Sequence, residues 1–206
     1  PGPQMDGASI FELLDAEQVS FTAAVPTVWL MLLQHLEEQN LKLPYLDTVV
    51  IGGSAAPRMM IEKFEKDYEV DVNHAWGMTE LSPLGTMGVL KGKMHDLSFD
   101  ERVDIKVKQG RPPYLVQMKI TDDDGNELPR DGKTFGNLKV KGPFIIETYM
   151  KDDGGEILDA EGYFDTGDVA TLDADGFMQI TDRSKDVVKS GGEWISSIEL
   201  ENIAVG

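Results

Sequence analysis

Strand and helix patterns alternate through the first hundred residues. The β-branched run Thr48–Ile51 is followed by the glycine-rich segment 52–57, and then by an amphipathic helix around Met60. Residues 70–73 form the next strand candidate. A strand–helix–strand order requires a crossover connection, which is typical of a parallel sheet covered by helices. The sequence therefore predicts an α/β fold built on a parallel sheet.

Two further helices are predicted before this region. Ser9 and Glu12 have the spacing of a capping box, which predicts that a helix begins at Ser9. Pro26 predicts the start of a second helix, because the first helical position does not need an N–H group. In this second helix Trp29 and Leu36 belong to an apolar stripe with helical spacing.

The pattern changes after about residue 100 to short runs with period-two alternation. These runs cover residues 103–108, 114–121, 137–141, 144–150, 168–172 and 177–181. Six strands separated by acidic glycine turns predict a small antiparallel barrel or sandwich. We therefore expect three regions: an α/β portion at 1–100, a β-barrel at 101–181, and a further segment at 182–206, with a strand at 186–189 and a capping box opening a helix at Ser196.

Composition excludes several classes of function. The chain has 206 residues with 19 Lys and Arg against 37 Asp and Glu, a net charge of −18. This acidity argues against nucleic acid or an anionic membrane as the main partner. The absence of cysteine excludes disulfides and thiolate metal sites, and it fits a cytoplasmic protein. The longest apolar run, residues 28–33, is too short to span a membrane. The first and last residues suggest a piece of a longer protein.

Two candidate functional segments follow predicted strands of the α/β portion. The segment 52–57, with sequence GGSAAP, precedes a helix, so its small residues allow either a tight turn or the close approach of a flat ligand. The segment 74–80, with sequence HAWGMTE, carries groups suited to a nucleotide. Trp76 can stack on a base, Thr79 can donate to a phosphate and Glu80 can bind Mg²⁺. A buried Trp beside an N-cap Thr is the alternative.

Two more candidate segments lie towards the end of the chain. In GYFDTGD, Asp168 follows a glycine at the start of a predicted strand, and its carboxylate can accept both hydroxyls of a ribose. A solvated turn is the alternative. In the run DRSKDVVKSGGEW, the charge cluster indicates an interdomain linker, and the glycine pair indicates a flexible loop or a site of close approach. An ordinary solvated crossing between domains is the alternative. His35, His74 and His95 show no metal-ligand spacing.

Together and in this order, the four segments resemble those of the adenylate-forming enzymes, which include acyl-CoA synthetases, peptide-synthetase adenylation domains and firefly-type luciferases. The chain is most similar to the medium-chain fatty acyl-CoA synthetases, a branch that includes ligases for methylmercaptopropionate. The resemblance implies part of a large N-terminal domain with a β-barrel subdomain, followed by a hinge at Lys185 and the start of a small C-terminal domain.

The resemblance also implies chemistry and site residues. ATP activates a carboxylic acid as an acyl-adenylate, and coenzyme A then displaces AMP. The implied nucleotide-binding residues are Gly53, Ser54, Ala55, Trp76, Gly77, Met78, Thr79, Asp168 and Arg183. Adenine would lie along 53–55 and against Trp76, the α-phosphate at Thr79, Mg²⁺ at Glu80, and the ribose at Asp168 with help from Arg183.

Thr79, Glu80 and Lys185 are the implied catalytic residues. The implied loop on the coenzyme A side contains Lys189, Ser190, Gly191, Gly192, Glu193 and Trp194. Its glycines would leave room for pantetheine.

The sequence departs from the family pattern in two places. The Ser/Thr/Gly-rich phosphate loop and the downstream catalytic lysine of the family are not among these 206 residues. We therefore expect the 206-residue chain alone to lack ligase activity. Three alternatives remain for the intact protein: transfer to a carrier-protein thiol, a preference for a short thioether acid, or a non-catalytic binding module that keeps the fold.

Overall fold

The computed structural model describes residues 5–183, together with the backbone of two short strands at 188–190 and 193–195. The described residues divide into two compact units. Residues 5–76 and 87–110 belong to the first unit, and residues 77–86 and those from 111 onward belong to the second. In the described part of the chain, no helix is both long and apolar enough to cross a membrane.

The first unit contains the predicted alternation of strands and helices. Its elements are α1 (Gly7–Ala16), β1 (Phe21–Ala24), α2 (Pro26–Gln39), β2 (Thr48–Ile51), α3 (Arg58–Asp67) and most of β3 (Asp71–Gly77). β2 pairs in parallel with both β1 and β3, and Ile51 lies opposite His74. Trp29, Leu36 and Phe64 are fully buried in the core between these strands and the helices. The predicted α/β fold is thereby confirmed.

The start of α1 differs from the prediction. Asp6, not Ser9, is the N-cap residue, and its carboxylate accepts the backbone N–H of Ser9 at 2.9 Å. The helix therefore begins at Gly7, two residues before Ser9, because an ionised carboxylate binds free N–H groups at least as well as a hydroxyl does. The start of α2 at Pro26 is as predicted.

The predicted strand at 103–108 is wrong. β4 (Leu84–Met87) is followed by α4 (Phe99–Lys106), which begins with a complete capping box between Ser98 and Glu101. Val103 and Lys106 are both buried, and their spacing of three residues matches one face of a helix. The Lys106 ammonium binds the carboxylates of Glu65 and Asp71, which attaches α4 to α3 and β3 within the first unit.

The second unit contains an antiparallel sheet. β5 (Gln117–Thr121), β6 (Gly136–Lys141), β7 (Phe164–Leu172) and β8 (Met178–Arg183) lie in the order β5-β6-β7-β8. Acidic glycine turns end several strands as predicted; at one of them the N–H of Gly176 donates to Asp173 O at 2.9 Å. The four described strands form an open sheet and do not close into the predicted barrel.

The segment 144–150 is the second predicted strand that is not one. The Ile145 N–H donates to Gly142 O, which makes a turn, and the Ile146 N–H donates to Glu80 O at 2.8 Å. These donors are therefore used outside any strand ladder. Only Met150 belongs to a regular element, the 3₁₀ turn Met150–Asp152.

The last described elements are β9 (Val188–Ser190) and β10 (Glu193–Ile195), which pair in an antiparallel manner. β9 overlaps the strand predicted at 186–189. The predicted hinge residue Lys185, the glycines Gly191 and Gly192, and the capping box predicted at Ser196 lie outside the described residues.

Candidate functional site

The glycine-rich segment GGSAAP follows β2 at the carboxyl end of the parallel sheet. Gly53 has a φ of +83°, a conformation that favours glycine, and a Cβ atom on Gly52 would lie only 3.3 Å from Ala75 O. Ser54 and Ala55 are exposed, whereas Ala56 is buried. The segment is thus a tight turn with two exposed small residues, so the turn and ligand interpretations of its glycines are compatible.

A buried histidine holds this turn. The Nε2 atom of His74 accepts the N–H of Ala56 at 3.2 Å, and its Nδ1 atom lies 3.1 Å from Val107 O. Because a carbonyl only accepts, Nδ1 carries the proton and Nε2 is the free acceptor. Burial lowers the pKa of His74, since the charged imidazolium loses its hydration. The neutral tautomer therefore joins the GGSAAP turn to the end of α4.

Trp76 lies two residues beyond His74, near the carboxyl end of β3. Its side chain is 9% exposed, so most of its surface already contacts protein. The placement of His74 and Trp76 on the strand next to β2 follows from the parallel register. Stacking of Trp76 on adenine stays a prediction.

In the second unit, residues 77–81 form a sharp turn. The Met78 N–H donates to Pro83 O at 3.0 Å, and a Cβ atom on Gly77 would lie 1.9 Å from that same oxygen. Only glycine can therefore occupy position 77 without a shift of the backbone. Thr79 begins the 3₁₀ turn Thr79–Leu81, and its side chain is exposed.

The side chain of Glu80 is held by a tyrosine from a distant part of the chain. The Tyr149 hydroxyl donates to Oε1 of Glu80 at 2.9 Å, and the Ile146 N–H donates to the Glu80 carbonyl oxygen. This hydrogen bond to the carboxylate raises the pKa of Tyr149. Glu80 is only partly buried, and its carboxylate has a second oxygen that this tyrosine does not bind.

The donor set around Glu80 fits a magnesium ion that is held mainly by a substrate. Among the residues that the structure describes, there is no group of three or more His, Cys, Asp or Glu side chains able to hold a metal. Mg²⁺ in nucleotide sites is bound by one or two carboxylates, with phosphates and water supplying the other oxygens. One carboxylate, Glu80, meets that requirement.

The sequence predicted that Asp168 begins a strand. In the structure, Asp168 lies in the middle of β7. It is opposite Arg183 of β8, and its Oδ1 atom lies 3.0 Å from Nε of that arginine. The Asp168 side chain is 3% exposed, whereas that of Arg183 is 61% exposed. A nearly buried carboxylate needs a partner, and the arginine provides one while remaining open to solvent.

The remaining predicted site residues are described only in part. Lys189, Ser190, Glu193 and Trp194 belong to β9 and β10, for which the backbone alone is described, and Lys185, Gly191 and Gly192 lie outside the described residues. Their predicted roles stay predictions.

The sequence predicts no supporting role for two residues, one in each unit. His74 opens the candidate segment HAWGMTE without a role of its own, although its place on the strand beside β2 and next to a glycine turn could have indicated a contact with that turn. Tyr149 had no usable signal, because 69 residues separate it from Glu80.

Comparison with known proteins identifies a family model and close relatives for this chain. A family model described as AMP-binding enzyme matches residues 1–150. The chain is 50% identical to a 3-methylmercaptopropionyl-CoA ligase of Ruegeria lacuscaerulensis and 51% identical to a medium-chain-fatty-acid–CoA ligase of Ectopseudomonas oleovorans. Both alignments cover 100% of this chain but only 38% and 37% of the relatives, so the chain spans less than two fifths of their length.

Solved structures agree in fold. O-succinylbenzoate CoA synthetase from Bacillus subtilis, in complex with ATP and magnesium ion, has a TM-score of 0.78 and 25% identity over 98% of this chain and 39% of that chain. The anthranilate CoA ligase AuaEII, in complex with anthranoyl-AMP, has a TM-score of 0.79. Its identity is 22%, over 98% of this chain and 36% of that chain, and this likeness concerns the fold alone.

Proposed function

The chain belongs to the AMP-binding enzyme family, and on this premise we propose that the whole protein is an acid–thiol ligase. It uses ATP to activate a carboxylic acid and transfers the acyl group to coenzyme A. The observation that carries the proposal is the 50% and 51% identity, over the full length of the chain, to two relatives named as CoA ligases.

The proposed reaction has two balanced steps. The substrate carboxylate attacks the α-phosphorus of ATP, an acyl-adenylate forms and pyrophosphate leaves. The thiol of coenzyme A then attacks the acyl carbon, the thioester forms and AMP leaves, while the thiol proton passes to solvent or a base. Most of the catalytic effect in such chemistry comes from positioning and from neutralising negative charge on oxygen atoms.

The proposed residue roles follow the family resemblance, and exposure supports those of the turn residues and of Thr79. The exposed turn residues Gly53, Ser54 and Ala55 are accessible to a flat base, and the exposed Thr79 hydroxyl can donate to the α-phosphate. When bound, Mg²⁺ supplies positive charge to the phosphates; Glu80 holds it through a carboxylate oxygen.

The proposed ribose site uses the ion pair of the antiparallel sheet. Asp168 accepts the hydroxyls of the ribose, and the contact with Arg183 at 3.0 Å orients that carboxylate.

The proposed acid is an aliphatic one, a medium-chain fatty acid or a short thioether acid such as methylmercaptopropionate. The two classes are represented among the relatives at nearly equal identity. Lys189–Trp194 is proposed as the loop on the coenzyme A side, and Lys185 as the hinge. We further propose a location in the cytoplasm.

The test measures pyrophosphate release by the whole protein with Mg·ATP, coenzyme A and a series of acids from propionate to dodecanoate, including methylmercaptopropionate. We expect a maximum at one acid, together with a stoichiometric acyl-CoA product. Release of pyrophosphate without acyl-CoA, followed by acylation of a carrier protein, would instead favour a carrier-protein acceptor. ATP binding with no release for any acid would contradict the ligase proposal.

A further inference from the structure

The segment 142–149 contacts Glu80 at two points. The Tyr149 hydroxyl donates to the carboxylate at 2.9 Å, and the Ile146 N–H donates to the carbonyl oxygen of the same residue at 2.8 Å. The segment has no regular structure before Met150, although its composition favours a strand. The Ile146 N–H, which a strand ladder would have used, is thus bound to Glu80 instead.

Packing alone does not account for Tyr149. Tyr149 is 36% exposed. Ile145 of the same segment is only 7% exposed, so its apolar side chain is the one that packs into the protein. A hydroxyl on a half-exposed ring contributes little to folding, because water can replace its hydrogen bond. The hydroxyl does have one specific effect, which is to bind one of the two oxygens of the Glu80 carboxylate.

We propose that Tyr149 is a positioning residue that orients the Glu80 carboxylate for the metal ion of the nucleotide. The inference rests on the proposed function, because it assumes that Glu80 binds Mg²⁺ when Mg·ATP is present. A glutamate has three rotatable side-chain bonds, so an unrestrained carboxylate would have to be ordered when the ion binds. Tyr149 restrains Oε1 in advance and leaves Oε2 for the ion, as hydrogen bonds to metal-binding carboxylates commonly do.

The experiment measures binding of Mn²⁺ to the whole protein in the presence of ATP, by the loss of the electron paramagnetic resonance signal of free Mn²⁺ beyond the loss in a matched ATP solution without protein, because ATP itself binds Mn²⁺. Tyr149→Phe keeps the ring and removes only the hydroxyl. We expect the dissociation constant of Mn²⁺ to rise about tenfold, the lower end of the range for loss of a hydrogen bond to a metal ligand. Binding of AMP without metal should not change, because the nucleotide itself does not need the oriented carboxylate.

Tyr163→Phe is the matched control. Its hydroxyl donates to the neutral amide of Gln117 at 3.1 Å, in the same unit, so its loss tests for a general effect of removing a tyrosine hydroxyl. Mn²⁺ binding should be unchanged in this variant. Glu80→Gln is the reference for loss of the proposed ligand and should weaken Mn²⁺ binding more than Tyr149→Phe does.

The outcomes separate this inference from the proposed ligase activity. Unchanged Mn²⁺ binding in Tyr149→Phe, or in Glu80→Gln, overturns the inference even where acyl-CoA forms. Weaker binding in both variants but not in Tyr163→Phe supports it even where no acid releases pyrophosphate, and in that case only the ligase proposal fails. An unmodified protein that binds no Mn²⁺ with ATP overturns both.

Discussion

The two units hold their candidate site groups in different ways. In the first unit the candidate groups belong mainly to a backbone turn, and a fully buried His74 holds that turn through Ala56. In the second unit the candidate groups are the side chains of Glu80 and Asp168. They contact the side chains of Tyr149 and Arg183, which are both at least one-third exposed.

This difference teaches how each region can be changed. A backbone turn has no functional side chain to remove. A substitution can therefore alter the turn only through a residue that holds it in place, such as His74. A carboxylate can be removed directly, and its chemistry is lost with it. Substitutions in the second unit should therefore have larger effects on the proposed reaction than substitutions that loosen the turn in the first unit.

The largest effect is expected for Glu80→Gln. The amide keeps the shape but not the charge, so the proposed metal loses its protein ligand. We expect acid-dependent exchange of pyrophosphate into ATP to slow by about 100- to 1,000-fold, the usual effect of losing a group that stabilises transition-state charge. Exchange assays on the whole protein, with Glu147→Gln as an exposed control, measure this. Equal loss in the two variants would contradict the assignment.

Asp168→Asn should have the next largest effect. The amide is uncharged and has one acceptor oxygen instead of two, so it binds the two ribose hydroxyls less strongly. It also leaves Arg183 without its ion pair. We expect ATP binding to weaken about 10- to 100-fold, as for loss of hydrogen bonds to a charged group.

Dideoxy-ATP, which lacks both ribose hydroxyls, tests whether Asp168 binds those hydroxyls. Calorimetry should show weaker binding of dideoxy-ATP than of ATP to the unmodified protein, but nearly equal binding of the two to Asp168→Asn. Asp182→Asn, at a neighbouring buried carboxylate, should retain the difference. If Asp168→Asn still discriminates between the two nucleotides, the ribose is bound elsewhere.

Two variants of His74 should have smaller effects and test the support of the turn. Asn places its amide near the position of Nδ1 and keeps a donor for Val107, whereas Gln reaches the position of Nε2 and offers an acceptor to Ala56. We expect His74→Asn to weaken ATP binding about two- to tenfold, the worth of one neutral hydrogen bond, and His74→Gln to weaken it less. Equal ATP affinity in both variants would show that the Ala56 contact does not position the nucleotide.

The smallest expected effect is on stability against pH. Burial lowers the pKa of His74 below 6.5, so between 6.5 and the lowered value the unfolded chain binds a proton that the folded chain does not. Stability therefore falls as the pH is lowered through this window, by at most about 1.4 kcal/mol per pH unit, and His74 contributes no such dependence above it.

Thermal midpoints of the whole protein from about pH 7.5 to about 5.5 test this dependence. His74→Gln should show a smaller fall than the unmodified protein. Asp131, whose backbone hydrogen bonds lower its pKa to about 2, titrates below this range and does not obscure it. Parallel curves for the two proteins would mean that the folded state takes up the proton equally well.

Much of the fold could be predicted because local signals agreed with tertiary packing. Pro26 predicted a helix start, the run Thr48–Ile51 predicted a strand, and both are as expected. The wrong strand predictions concern segments whose apolar residues are too few to distinguish the period of a strand from that of a helix or a turn. Residues 103–108 alternate like a strand, yet the capping box at Ser98 and the burial of Lys106 against two carboxylates favour a helix.

The chain's own residues and their order were enough to indicate an α/β fold, the two strand-end segments GGSAAP and HAWGMTE, and the carboxylates Glu80 and Asp168 as candidates. These features are local, since each depends on residue types at short spacing. Only the tertiary structure decided which groups support them. Ala56 is 18 residues from His74, and Tyr149 is 69 residues from Glu80. Contacts over such separations depend on how the whole chain packs, and no local pattern encodes them.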